Sequence, residues 1–313
     1  MKGGMEMSEL VVLGNGFDLH HGLRTSYGHF AKFAGQEAPT TYQLLSQLFL
    51  ASSEHMDLQR PSQNEEEAFL AQCWSQFEAS LGLIDDLEFE ERSRDNISEY
   101  MEELGMEEYI VDEFIDNISD VLDVFRRWVA SIDLPTHLGQ KFSFQEDSKF
   151  INFNYIESLE AIYGVDAARI FYIHGRRFTA DRLIVGHDVH PPQARSKHDL
   201  PDVQYNPFYG YLRRTRKPVE DIVPKLQEWL CFHGKYDQVS VRGHSLGPVD
   251  YPYFETLVTA LPDAMWSFSY HTTEDQEAIR NLVQALGLRD AQLSAIATLT
   301  EFGRTGWFQS PTL

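Results

Sequence analysis

From Phe150 onward the chain alternates short apolar runs with stretches of helical period, and this alternation narrows the possible folds more than any other feature. Runs suited to strands are Phe150–Phe153, Ile170–Ile173, Leu183–Val185, Val239–Val241 and Trp266–Tyr270. Segments suited to helices are Glu157–Tyr163, the stretch near Ile222–Cys231, Tyr253–Leu261 and Glu274–Leu288. Strands that alternate with helices imply a mostly parallel sheet covered on both faces, a Rossmann-like α/β fold. Ligands of such sheets sit at the carboxyl ends of the strands. Polar or glycine clusters fall at those ends: Asn154, His174-Gly175, Gly186-His187-Asp188 and Gly243-His244-Ser245.

A first strand precedes all of these. Leu10 to Leu13 form an apolar run that meets Gly14-Asn15-Gly16, with Gly22 a few residues on. An apolar run ending in glycines reads as a buried strand breaking into a tight turn. Gly14 and Gly16 let another group approach the backbone closely. A helix starting after the turn aims its unpaired N–H groups and positive dipole end there, which suits an anion. The spacing is not G-x-G-x-x-G, so it is no ordinary dehydrogenase fingerprint.

Between this unit and Phe150 the chain is acidic and poor in glycine, with helical period from about residue 35 to residue 149. Asn64 followed by three glutamates marks a helix start. Ile110, Phe114, Ile118, Val121, Leu122, Phe125, Trp128 and Val129 share one face of a helix over Glu107–Ile132. The aromatic stripe of Trp74, Phe77, Phe125 and Trp128 is expected in a core. The expected organisation is one Rossmann-like domain over residues 1–313, interrupted by a helical insertion at 35–149 after the first βα unit. Residues 190–218, basic and proline-rich, read as an irregular loop.

Net charge is −22 over 313 residues, which argues against a surface that grips nucleic acid through its phosphates. Two cysteines make neither a four-cysteine zinc module nor a disulfide framework. No apolar run approaches the 18 residues of a membrane span, and no secretory signal is present, so a soluble cytoplasmic protein is expected.

The motifs LGNGFDLHHGLRTSY, WSQFE, FNYIESLE, IHG, VGHD and GHSLGPVDYPYF, in that order, resemble the AbiH family of bacterial phage abortive-infection proteins. Two positions depart from the family pattern: Arg24 stands where proline is more frequent, and Ile156 where threonine often stands. AbiH proteins in turn resemble sirtuin-type NAD-binding domains. In that likeness Gly14, Asn15, Gly16 and Gly22 match the Gly-Ala-Gly segment and its later glycine. Asn154-Tyr155 matches the Asn-x-Asp segment without its acid, His174-Gly175 the catalytic His-Gly, and Gly243-His244-Ser245 the Gly-Thr-Ser. The sirtuin zinc ribbon has no counterpart, so protein deacylation is not expected; no metal is expected either. The resemblance implies an abortive-infection effector that binds NAD as substrate or ligand, with Phe17 and Asp18 beside the turn.

Cleavage of the nicotinamide–ribose bond develops oxocarbenium character on the ribose, as in glycoside hydrolysis. Nicotinamide leaves neutral, so the reaction asks for a positioned water and a base near neutrality rather than a strong acid. Asn154 suits the first role and His174 the second. Gly14 and Gly16 suit the pyrophosphate and Ser245 a phosphate or ribose oxygen; valine at either glycine is then expected to abolish binding with the fold intact. Asp18 suits a ribose hydroxyl, or equally a helix cap. A non-catalytic nucleotide-sensing subunit of a defence complex, with a homo-oligomer or protein partner, uses the same glycines. Gly243-His244-Ser245-Leu246-Gly247 also matches the nucleophile elbow of α/β-hydrolases, with Asp263 and His271 as candidate partners. His187, Asp188 and His190 read as a glycine turn rather than metal ligands.

Overall fold

The computed structural model describes residues 8–54, 63–84, 116, 120–134, 142–190 and 207–299. The chain forms two compact units: Met1–Thr25 with Ile132–Leu183 and Pro218–Leu313, and Ser26–Ser131 with Ile184–Lys217. The far part of the expected helix over 107–132 lies outside the described residues; its described part is Val121–Ser131.

The first unit is built on one sheet. Its strands are β1 Glu9–Leu13, β2 Lys149–Asn152, β3 Ile170–Tyr172, β4 Gln238–Arg242, β5 Met265–Tyr270 and β6 Leu293–Thr298. Their order is β3-β2-β1-β4-β5-β6, and every pairing is parallel. This is the Rossmann order, whose direction of winding reverses between β1 and β4. Five helices connect the strands: α1 Asn15–His20, α2 Ser158–Tyr163, α3 Val219–His233, α4 Tyr251–Ala260 and α5 Thr273–Ala285.

β1 is central because it is apolar on both faces. Leu10, Val11, Val12 and Leu13 are completely buried, which contributes roughly 6–12 kcal/mol of gross transfer free energy at about 1.5–3 kcal/mol per side chain. On one face Val11 and Leu13 pack with Phe17 of α1, Phe150, Leu159 of α2 and Ile170. Phe171, which points the other way along β3, meets Trp229 of α3 at 5.8 Å between ring centroids. A capping box between Thr272 and Asp275 starts α5.

Two strand expectations differ from the structure. Leu183–Val185 is buried in part and is not itself a strand among the described residues. β6 was not visible as a strand because its sequence, LSAIAT, carries little apolar bulk and it lies at the sheet edge.

The second unit holds helices Tyr27–Glu37, Pro39–Glu54, Gln63–Ser75, Phe77–Gly82, Val121–Ser131 and Pro207–Thr215. The last of these corrects the reading of 190–218 as irregular. Trp74 stacks on Phe77 at 5.5 Å, and Phe30 sits within 5.3 Å of Phe77, Phe125 and Trp128, so the aromatic stripe is core. Lys217, wholly buried, pairs with Glu78 at 3.0 Å. His187 lies in this unit, not at the sheet edge. Its Nε2 donates to Thr215 Oγ1 at 2.9 Å while Nδ1 accepts from the Val189 N–H, and burial pushes its pKa down to about 4. No described helix is long and apolar enough to cross a membrane.

Candidate functional site

The carboxyl ends of β1 and β4 meet at the switch point, where the two glycine turns clasp each other. Gly14 N–H donates to the Arg242 carbonyl at 3.1 Å and Gly16 N–H to the Gly243 carbonyl at 2.7 Å. A Cβ on Gly14 would lie 2.4 Å from His244 Cα, and one on Gly16 would lie 2.8 Å from Gly243 Cα. Gly243 has φ +64, and its Cβ would lie 2.4 Å from Phe17 N. Something does approach these glycines closely, as their sequence implies, but it is the protein's own backbone. The expectation that valine at Gly14 or Gly16 would spare the fold is therefore overturned, because the clashing atoms are backbone and cannot swing aside. The Phe17 N–H is also taken, by the Gly14 carbonyl at 3.0 Å.

The remaining predicted residues divide into two groups. Phe17 is core, and Gly22, with φ +78, ends α1 away from the sheet edge. Asp18 neither caps α1, whose N-cap is Gly14, nor reaches solvent: it is 1 % exposed. Ser158 donates to its Oδ1 at 2.6 Å, while Oδ2 has no hydrogen-bond partner among the described residues. Burial raises its pKa to about 7, against the pull of the Ser158 hydroxyl and Arg177. Gly175, with φ +77, is packed against the Arg182 carbonyl.

The second group lines the edge. Asn152 Oδ1 accepts from the Asn154 N–H at 3.0 Å, a side-chain turn that carries β2 over the edge. Asn154 Nδ2 then donates to the Gly14 carbonyl at 3.1 Å, which ties β2 to the clasp. β2 and β3 are paired neighbours, so His174 follows the adjacent strand. Phe153 and Tyr155, either side of Asn154, both meet the His174 ring, at 5.5 Å and 5.8 Å. Arg177 donates its backbone N–H to the Tyr155 carbonyl at 2.8 Å and grips Glu157 with two bonds of 2.9 Å, which fixes the loop after β3.

His244 reaches the same place from β4. Phe153 stands edge-on between the two imidazoles, 4.3 Å from His244. Both histidines face one acid that the sequence reading did not select. His174 Nε2 is 3.7 Å from Asp250 Oδ1, and His244 Nε2 is 3.7 Å from Asp250 Oδ2. The three are buried, at 3 %, 7 % and 6 % exposed. Asp250 ends a short 3₁₀ turn, Pro248–Asp250, that leads into α4. The available signal was local: an acid six positions after His244 in the GHSLGPVD segment. Among the described residues no group of His, Cys, Asp or Glu is arranged to hold a metal.

Ser245 is exposed at the tip of its turn. Of its candidate hydrolase partners, His271 follows β5 at the same edge, but the acid does not join it. Asp263 precedes β5, so it lies at the opposite edge of a parallel sheet from Ser245, which follows β4. Besides Gly243, the residue of this segment with left-handed backbone is Leu246, φ +57, rather than the serine that a nucleophile elbow holds at its apex.

No curated protein and no solved structure matches the chain. The family model described as Bacteriophage abortive infection AbiH matches residues 10–270, from β1 to the last residue of β5. Covering five of the six strands and all three buried edge residues, that match makes the chain a member of the AbiH family, and with it a protein of phage abortive infection.

Proposed function

We propose that this chain acts in abortive infection by binding NAD at the carboxyl edge of its sheet and hydrolysing the nicotinamide–ribose bond. The observation that carries the reading is that Asn154, tied to the Gly14 carbonyl, and the His174–Asp250–His244 group all follow strands at the carboxyl edge beside the β1–β4 switch point, where parallel sheets bind ligands. The phosphates would not sit between the two clasped turns, where the Gly14, Gly16 and Phe17 N–H groups already bond to carbonyls and the Gly243 N–H to Ser269 Oγ. They would lie outside, against exposed Ser245 and half-buried Asn15.

In the reaction the C1′–N bond breaks with its electron pair passing to the nicotinamide ring, which becomes neutral. Water oxygen bonds to C1′, and His174 takes its proton. Asn154, whose Nδ2 is held by the Gly14 carbonyl, would orient the water through Oδ1. Asn154→Ala and His174→Ala should each lower NAD cleavage by about 10²–10⁴-fold, the usual cost of a missing positioned base.

The clasp favours a second reading, nucleotide sensing without turnover. NAD content of phage-infected cells separates the two. Depletion with wild type and its absence with either variant supports cleavage. Phage resistance with NAD unchanged would replace cleavage by sensing. Labelling of Ser245 by a fluorophosphonate would count against both.

A further inference from the structure

We propose that Asp250 is the positioning acid of this site: it holds His174 in the tautomer with the proton on Nε2, and His244 holds Asp250. The proposal rests on the reading of His174 as the base. The two histidines are not equivalent. His244 Nδ1 accepts the Leu246 N–H at 2.9 Å, so the neutral ring carries its proton on Nε2, the atom that faces Asp250 Oδ2 at 3.7 Å. Both nitrogens of His244 are thereby assigned to the protein, which moves this residue from ligand binding to support. His174 presents Nε2 to the other carboxylate oxygen at the same distance. A carboxylate accepts and does not donate, so the neutral His174 ring places its proton on Nε2 and its lone pair on Nδ1. Nδ1 points away from the acid and becomes the basic atom.

A separation of 3.7 Å is longer than a direct hydrogen bond. Catalytic hydrogen bonds are commonly this loose before substrate binds and tighten on the way to the transition state. The surroundings make the carboxylate's effect strong. Phe153 lies against both imidazoles, Phe254 packs on His244 at 5.2 Å, and among the described residues the titratable Tyr155 and Tyr253 pack against His174. When His174 takes a proton from water on Nδ1, the new positive ring faces Asp250 within an apolar wall. The proton then leaves to solvent as ADP-ribose departs, so the ring returns to its starting tautomer.

The test is long-range ¹H–¹⁵N correlation NMR on the full chain labelled at histidine, without nucleotide. Neutral His174 should carry its proton on Nε2. In Asp250→Asn that preference should be lost and the pH at which the ring gains its second proton should fall by about one unit or more, the effect of removing an opposite charge this close. Asp250→Glu should restore both in part. A wild-type His174 protonated on Nδ1 would overturn the proposal whether or not any variant folds. So would a folded Asp250→Asn with an unchanged His174 titration. Because no NAD is present, failure of NAD cleavage in cells overturns the proposed reaction and leaves the tautomer result standing.

Discussion

Asp18 gives the sheet unit a pH dependence that can be worked out in advance. The carboxyl is buried, donates nothing when ionised, and receives one hydrogen bond, from Ser158 at 2.6 Å. Burial lifts its pKa from 3.8 to about 7. The folded chain therefore holds this proton more tightly than the unfolded chain does. The resulting stability is complete below pH 4, falls as pH rises, and is gone once pH passes about 7. The whole span is about 4 kcal/mol, at about 1.4 kcal/mol per pH unit. Between pH 5.5 and pH 7 it is about 2 kcal/mol, or roughly 4–8 °C in melting temperature for a unit of this size. Asp18→Asn keeps an oxygen for Ser158 and has no proton to lose. Thermal unfolding followed by near-UV circular dichroism from pH 5.5 to 8.5 should show wild type losing about 2 kcal/mol relative to the variant as pH rises to about 7, with no further relative change above it. The difference between the two cancels the repulsion of the remaining charges. Parallel melting curves for wild type and variant across this range would refute the reasoning.

Two further outcomes follow from packing. Gly243→Ala should cost about 2–4 kcal/mol in urea unfolding, because it adds a left-handed backbone penalty of about 1–2 kcal/mol to the clash with Phe17 N; Gly14→Ala, with φ −111, should cost less. Glu78→Gln should destabilise the second unit by about 3–5 kcal/mol by removing the carboxylate that faces the buried Lys217 ammonium, and adding Lys217→Met should recover most of the loss; equal losses in the single and double variants would mean the pair is not coupled.

How much of this was legible depends on where the information lay. β1 was plain because four buried aliphatic residues run directly into glycines, and the sheet's parallel character followed from the alternation of runs. β6 was hidden because alanine and serine fill half of its positions. Leu183–Val185 misled because burial of an apolar triplet does not require a strand partner. The need for close approach at Gly14 and Gly16 was correct, whereas the identity of the approaching group came only from the neighbouring turn. Asp250 gained its meaning from tertiary structure: His174 and His244 follow strands separated by β2 and β1, and nothing local announces that their loops converge.

The clasp between the glycine turns also shapes how such a sequence can drift. At Gly14, Gly16 and Gly243 another segment's backbone lies where a Cβ would stand, so enlarging any of them alone costs stability. A lineage that changes one must first retract the opposing chain, and that intermediate is poorly folded. Variation is thereby diverted to Asn15 and Ser245, which border the clasp without filling it. Those two positions are where descendants of this protein can change while the sheet beneath stays the same.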